Sequence, residues 1–158
     1  EMETKIQSSL QLLGNFVKAD RVYIFEYNWE AYTYSNTFEW CAPGITSVRD
    51  AYQNQPLQIL NDWLAAHQQG VAIEIADSTA PELEPALAAS LHEQQIKSLL
   101  TIPIIDHRQC LGFVGFDAVR QPKRFSEAEK NLLYVFAQIF ANTHTRSRLQ
   151  QSLVAEKE

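Results

Sequence analysis

The side chains best suited to nucleophilic or metal chemistry in this 158-residue sequence are two cysteines and four histidines, and their spacing argues against both. Cys41 and Cys110 form none of the closely spaced pairs of a zinc site and no disulfide framework, so they read as buried thiols in a reducing compartment. His67 and His144 fall on helical stretches among polar neighbours and His107 in a turn, where a solvated imidazole is the default. His92 sits closest to a segment that could cover a site, which leaves haem ligation open for that residue alone. No Ser-His-Asp grouping, glycine-rich phosphate loop or histidine-rich cluster is present. Asp77 follows a short strand and reads as a turn or cap residue, whereas Asp117 ends a strand in apolar surroundings.

What remains is binding chemistry. In Val22-Tyr23-Ile24-Phe25-Glu26-Tyr27 neighbours point to opposite sides, so Val22 and Ile24 share one face and Tyr23, Phe25 and Tyr27 the other. The compact face suits helix packing, and the aromatic face suits the wall of a small-molecule cavity. By the same parity Leu99 and Thr101 share a face, with a Thr101 hydroxyl that needs a partner. Phe113, Gly115 and Asp117 share another, and Gly115 lets something approach the backbone closely.

These residues need a frame. Hydrophobic residues make up 46% and charged residues 20%, a globular balance, and the length suits one domain over 1–158. The net charge of -6 comes with scattered cations, which disfavours nucleic acid. The most apolar run, Leu132 to Ala141, is too short to cross a bilayer. A start at Glu1 without a basic leader reads as an excised piece, expected in the cytoplasm.

The spacing of Ile6, Leu10, Leu13 and Val17 predicts a helix over 1–18. Val22–Tyr27 and Tyr32–Cys41 form a strand pair ended by Cys41-Ala42-Pro43-Gly44. Pro56 stands at the first position of a helix carrying Leu57, Leu60, Trp63 and Leu64, closed by Gly70. Val71–Ile75 is a short strand, after which Ser78 or Thr79 caps a helix near Pro81 with Leu83, Leu87 and Leu91 on one face. Leu99–Ile105 and Leu111–Asp117 flank the turn Asp106-His107-Arg108-Gln109 as a central hairpin. Ser126 and Glu129 have capping-box spacing before a long helix over 126–155 with Leu132, Leu133, Phe136, Ile139 and Phe140. The order implies an α+β fold, a mostly antiparallel sheet with helices on both faces.

Four segments in this order resemble the GAF family of sensor domains: Ala19-Asp20-Arg21-Val22, Glu39-Trp40-Cys41-Ala42-Pro43-Gly44-Ile45, Gln95-Ile96-Lys97-Ser98-Leu99-Leu100 and Leu111-Gly112-Phe113-Val114-Gly115-Phe116-Asp117. The likeness is to modules beside bacterial diguanylate cyclase or histidine kinase outputs. It implies a profilin-like sheet of five to six strands, terminal helices on one face and a helix-covered ligand pocket on the other. On that frame Tyr23, Phe25, Trp63, Leu99, Thr101, Phe113 and Asp117 face the pocket, Trp40 sits at its rim, and the lid carries Trp63, Leu87 and Ser90.

The resemblance implies a regulatory, non-enzymatic module of a two-component or diguanylate cyclase protein. It would bind an unknown small molecule, with no assignable cofactor, and homodimerise through its terminal helices, the last continuing through Leu149 and Leu153 as a coiled coil. A kinase or cyclase output would follow in the parent chain. A degenerate module kept only for dimerisation is the alternative. Two others are less supported: a bilin photoreceptor needs a cysteine before the central hairpin, where only His92 stands, and a free methionine sulfoxide reductase needs low-pKa pocket thiols. The Asn, Lys, Phe, Asp, Glu signature of cyclic-nucleotide relatives is absent.

Overall fold

The computed structural model describes residues 1–157, with side chains except at positions 145, 147, 148, 156 and 157. The predicted first helix forms as α1, Met2–Val17, and buries Ile6, Leu10, Leu13 and Val17. It stops at Lys18, whose left-handed backbone returns a cap hydrogen bond to the Gly14 carbonyl. Strands β1 (Arg21–Asn28) and β2 (Thr33–Cys41) then pair antiparallel. The stub β3 (Gln55–Pro56) leads into a 3-10 turn over Leu57–Leu60 and helix α2 (Asn61–Gln68). Strand β4 (Ile73–Ile75), helix α3 (Pro85–Glu93), the hairpin β5 (Ser98–Asp106) and β6 (Gln109–Ala118), and helix α4 (Glu127–Lys157) complete the order.

The six strands form one antiparallel sheet, β3-β2-β1-β6-β5-β4, with the hairpin beside β1 at its centre. Each face has its own core. Val22, Ile24, Leu100, Ile102, Ile104, Val114 and Phe116 pack against Leu10 of α1 and Leu133, Ala137 and Phe140 of α4. Tyr23, Phe25, Leu99 and Phe113 pack against Leu57, Leu60, Trp63 and Leu64 from the 3-10 turn and α2. Strand parity thus separates an aliphatic helix-facing side from an aromatic lid-facing side, as expected.

The capping box is formed: Ser126 N–H donates to Glu129 Oε1 at 2.8 Å, and Glu129 N–H donates to Ser126 Oγ at 3.1 Å. Two lid starts differ from expectation. Pro56 ends β3 rather than opening a helix, because its extended backbone feeds the 3-10 turn first. Helix α3 begins at Pro85 rather than near Pro81, because Asp77 holds Thr79 in its own turn, accepting from the amide at 2.9 Å and the hydroxyl at 2.6 Å. Among the described residues no helix is long and apolar enough to cross a membrane.

Candidate functional site

Between the aromatic face of the sheet and the lid lies a crevice floored by Tyr23, Phe25, Leu99 and Phe113. Phe25 and Phe113 stack at 5.0 Å between ring centres, and Tyr23 meets Phe25 edge-on at 5.4 Å. Trp63 of α2 covers Phe113 at 5.4 Å. Leu87, Ser90, Leu91 and Gln94 close the α3 side, and Tyr34 and Tyr52 form the wall towards β2. The space open to water-sized molecules is about 40 Å³.

Polar groups ring the α3 side. Tyr52 donates its hydroxyl to Glu93 Oε1 at 3.1 Å and lies 3.4 Å from Ser90 Oγ. Gln94 Nε2 donates to the Ser90 carbonyl and hydroxyl, both at 3.2 Å. The indole Nε1 of Trp63 is buried and has no hydrogen-bond partner.

Behind Trp63, one turn on in α2, His67 is fully buried rather than solvated. Its Nε2 lies 3.0 Å from Thr101 Oγ1, and its Nδ1 lies 3.3 Å from the Tyr27 hydroxyl. Burial drives its pKa down to about 3, so the ring is neutral at physiological pH. Thr101 therefore has the partner its hydroxyl needs, and that partner is the lid. His67, not the exposed His92, is the histidine under the lid.

A charged network lies beside the crevice. Arg21 Nη1 donates to Asp117 Oδ2 at 3.2 Å, and the Tyr23 hydroxyl donates to Asp117 Oδ1 at 2.7 Å. Arg21 also donates through Nη2 to the Gln94 carbonyl at 2.8 Å and through Nε to the Thr46 carbonyl at 3.0 Å. Burial raises the Asp117 pKa to about 6, against the opposing pull of the Tyr23 and Arg21 bonds. The same burial, with Asp117 beside it, holds the Tyr23 phenol well above its ordinary value.

Of the sequence-predicted residues, Tyr23, Phe25, Trp63, Leu99 and Phe113 come together around the crevice. Thr101 and Asp117 sit next to it, engaged with His67 and with Arg21 and Tyr23. Trp40 is not at the rim. It lies opposite Val22 in the β1–β2 register and therefore points to the helix side, where a Cβ at Gly14 would come within 2.2 Å of its ring. The room above Gly115 is taken by the Tyr23 ring. Tyr52, from the segment between β2 and β3, carries no sequence signal, because its neighbours show no periodicity.

Neither thiol lines the crevice. Burial pushes Cys110 up to about 11, and burial together with Glu39 pushes Cys41 up to about 12. Both are protonated at neutral pH, the opposite of what thiolate chemistry needs. Among the described residues no His, Cys, Asp and Glu group is arranged to hold a metal ion.

Comparison with known proteins agrees with this architecture. The GAF domain family model matches residues 1–143. The methanogenesis regulatory histidine kinase FilI of Methanothrix harundinacea is 32% identical over 157 residues, covering 94% of this chain and 17% of the kinase. The chain thus spans about a sixth of that relative's length. The blue-light absorbing PixJ GAF domain of Thermosynechococcus elongatus superposes with a TM-score of 0.83 at 17% identity, covering 98% of this chain and 90% of that one. The chromophore-binding domain of a Stigmatella aurantiaca bacteriophytochrome superposes at 0.76 with 10% identity, covering 92% of this chain and 54% of that one. At such identities these two structures speak to the fold alone. The family match extends over the strands and lid that build the crevice, and the chain belongs to the GAF domain family.

Proposed function

We propose that this chain is the regulatory ligand-binding module of a larger signalling protein, not an enzyme, with a histidine kinase or cyclase as output. A small molecule enters the aromatic crevice, and its arrival is passed through the sheet to α1 and α4. The observation that carries this reading is the crevice itself, an aromatic floor under a separate lid with space left between them. The likeness to a regulatory histidine kinase supports the kinase output. The relay has a short path. Tyr23 and Phe113 face the crevice, and their chain neighbours Val22 and Val114 pack in the core shared with the terminal helices.

Burying about 200 Å² of apolar ligand surface yields roughly 5 kcal/mol, close to the roughly 5.5 kcal/mol that reverses a two-state equilibrium. A small ligand suffices if the lid closes on it in only one state. We further propose homodimerisation through α1 and α4, with no membrane or nucleic-acid contact by this segment.

Native mass spectrometry of freshly purified protein tests the reading. A retained small molecule, lost when Phe113→Ala is introduced, supports it. The small volume, about 40 Å³, favours a second reading, a closed module kept as a dimer scaffold. Under that reading no molecule is retained and no compound in a thermal-shift screen stabilises the domain.

A further inference from the structure

The outward side of α4 has a repeat of its own. Val135, Ile139, Asn142, Arg146, Leu149 and Leu153 follow at steps of four, three, four, three and four, the a and d spacing of a helix that pairs with another helix. All six are exposed, and they lie on the side opposite Leu133, Ala137, Phe140 and Ala141, which pack on the sheet. Two apolar residues stand on each side of the polar Asn142 and Arg146, so the pattern reads the same from either end.

Half of this seam borders a groove. Val135 and Ile139, with Leu132 of the same helix, face Leu12 and Phe16 of α1 around a groove of about 450 Å³. The other half has nothing in its own chain to pack on, since every described side chain from Arg146 to Ala155 is exposed. One chain thus carries both an unfilled apolar groove and an uncovered apolar helix end.

The polar residues decide the orientation. Helices paired in parallel set like positions together, so Arg146 would face its own copy, charge against charge. Paired antiparallel about position 144, they set Asn142 against the second copy's Arg146, Ile139 against its Leu149 and Val135 against its Leu153. Asn142 Oδ1 accepts from Gln138 Nε2 at 3.1 Å and has a second lone pair for a guanidinium donor.

Resting on the homodimer reading above, we propose that two copies join antiparallel through α4, each laying the turns that carry Leu149 and Leu153 into the other's groove between α1 and α4. That helix end covers Leu12 and Phe16, and the pairing of Asn142 with Arg146 fixes the register. The two α4 helices then end in opposite directions, so outputs that follow them are held apart.

Sedimentation equilibrium and disulfide trapping test this, with the wild type and its two native cysteines as the baseline. Asn142→Asp sets a carboxylate against the second copy's Arg146 and is expected to tighten the dimer about fivefold; in a parallel pair the two new carboxylates would face each other and loosen it. Leu149→Cys alone should give no disulfide dimer, because the two sulfurs would stand about 15 Å apart along the helix axis. Ile139→Cys combined with Leu149→Cys should trap one. All three positions are exposed within one chain, so these variants keep the fold. A dimer that Asn142→Asp loosens or leaves unchanged, a disulfide dimer from Leu149→Cys alone, or none from the double variant would overturn the antiparallel register and leave homodimerisation standing. A monomeric wild type would overturn homodimerisation and this inference with it.

Discussion

Arg21 and Asp117 stand opposite each other on β1 and β6, 3.2 Å apart and each only 1% exposed, so a full ion pair is enclosed where the sheet meets the lid. Arg21 reaches three separate parts of the chain, through Asp117 and the carbonyls of Thr46 and Gln94. Removing one partner leaves the other charge buried and unpaired. Asp117→Ala is expected to cost about 3–5 kcal/mol in urea unfolding. The double variant Arg21→Met, Asp117→Leu should recover much of that loss, because it leaves no stranded charge. A double variant as unstable as the single one would count against this account.

Acid should act on His67 with a definite sign. The unfolded ring takes a proton near pH 6.5, whereas the buried ring resists until about 3. Between those values unfolding binds a proton, so stability present above pH 6.5 is lost as the pH falls towards 3, by up to about 1.4 kcal/mol per pH unit. Asp117 works the other way: its pKa rises from 3.8 to about 6 on folding, so the folded state takes up the proton first and gains stability as the pH falls through that interval. The two offset each other between roughly pH 6 and 4, and below that the His67 loss stands alone. His67→Gln should remove it. Below pH 6.5 the wild-type urea midpoint should fall steadily relative to that of the variant, and a constant difference between the two would show that His67 does not titrate this way.

Gly14 is a glycine in mid-helix for a packing reason, since the Trp40 ring occupies the place a side chain would take. Gly14→Ala gains about 1 kcal/mol of helix propensity and meets an overpacking cost of about 1–3 kcal/mol. A net loss is expected. In a Trp40→Leu background the same change should become stabilising, and thermal melts of the four proteins would reveal whether the sign reverses.

The outer faces of α1 and α4 carry an apolar stripe in which Leu12 and Phe16 are 71% and 75% exposed and Val135 and Ile139 lie across from them. Such a patch fits an interface between copies. Sedimentation should give a dimer for the wild type and a monomer for Leu12→Glu. The unfolding free energy in urea, extrapolated to low protein concentration, should change by less than about 0.5 kcal/mol, because the residue is exposed within one subunit. A monomeric wild type would remove this interface.

The parts of the fold that follow from local pattern were legible in the sequence. Val22 against Tyr23 separates the two faces by parity, and Ser126 with Glu129 marks the start of α4. The face Trp40 takes depends on register, which local pattern does not reveal: pairing with Val22 turns it to the helices, and a slip of one residue would turn it to the crevice. His67 looked solvated beside Gln68 and Gln69. Its place one turn after Trp63 is the available signal, and the two rings do meet, at 5.8 Å. The ties Arg21 makes to Thr46 and Gln94 join segments far apart in the chain, so no local pattern could announce them.

The sheet's two outermost strands, β3 and β4, are only two and three residues long. β3 pairs only with Thr33 and Tyr34 of β2, and β4 only with Leu99, Leu100 and Thr101 of β5, so neither outermost strand offers a long ladder of its own for another chain to extend. A strand approaching either edge meets a stub of two or three residues first, which leaves the helix surfaces as the broader face for contact with a neighbour.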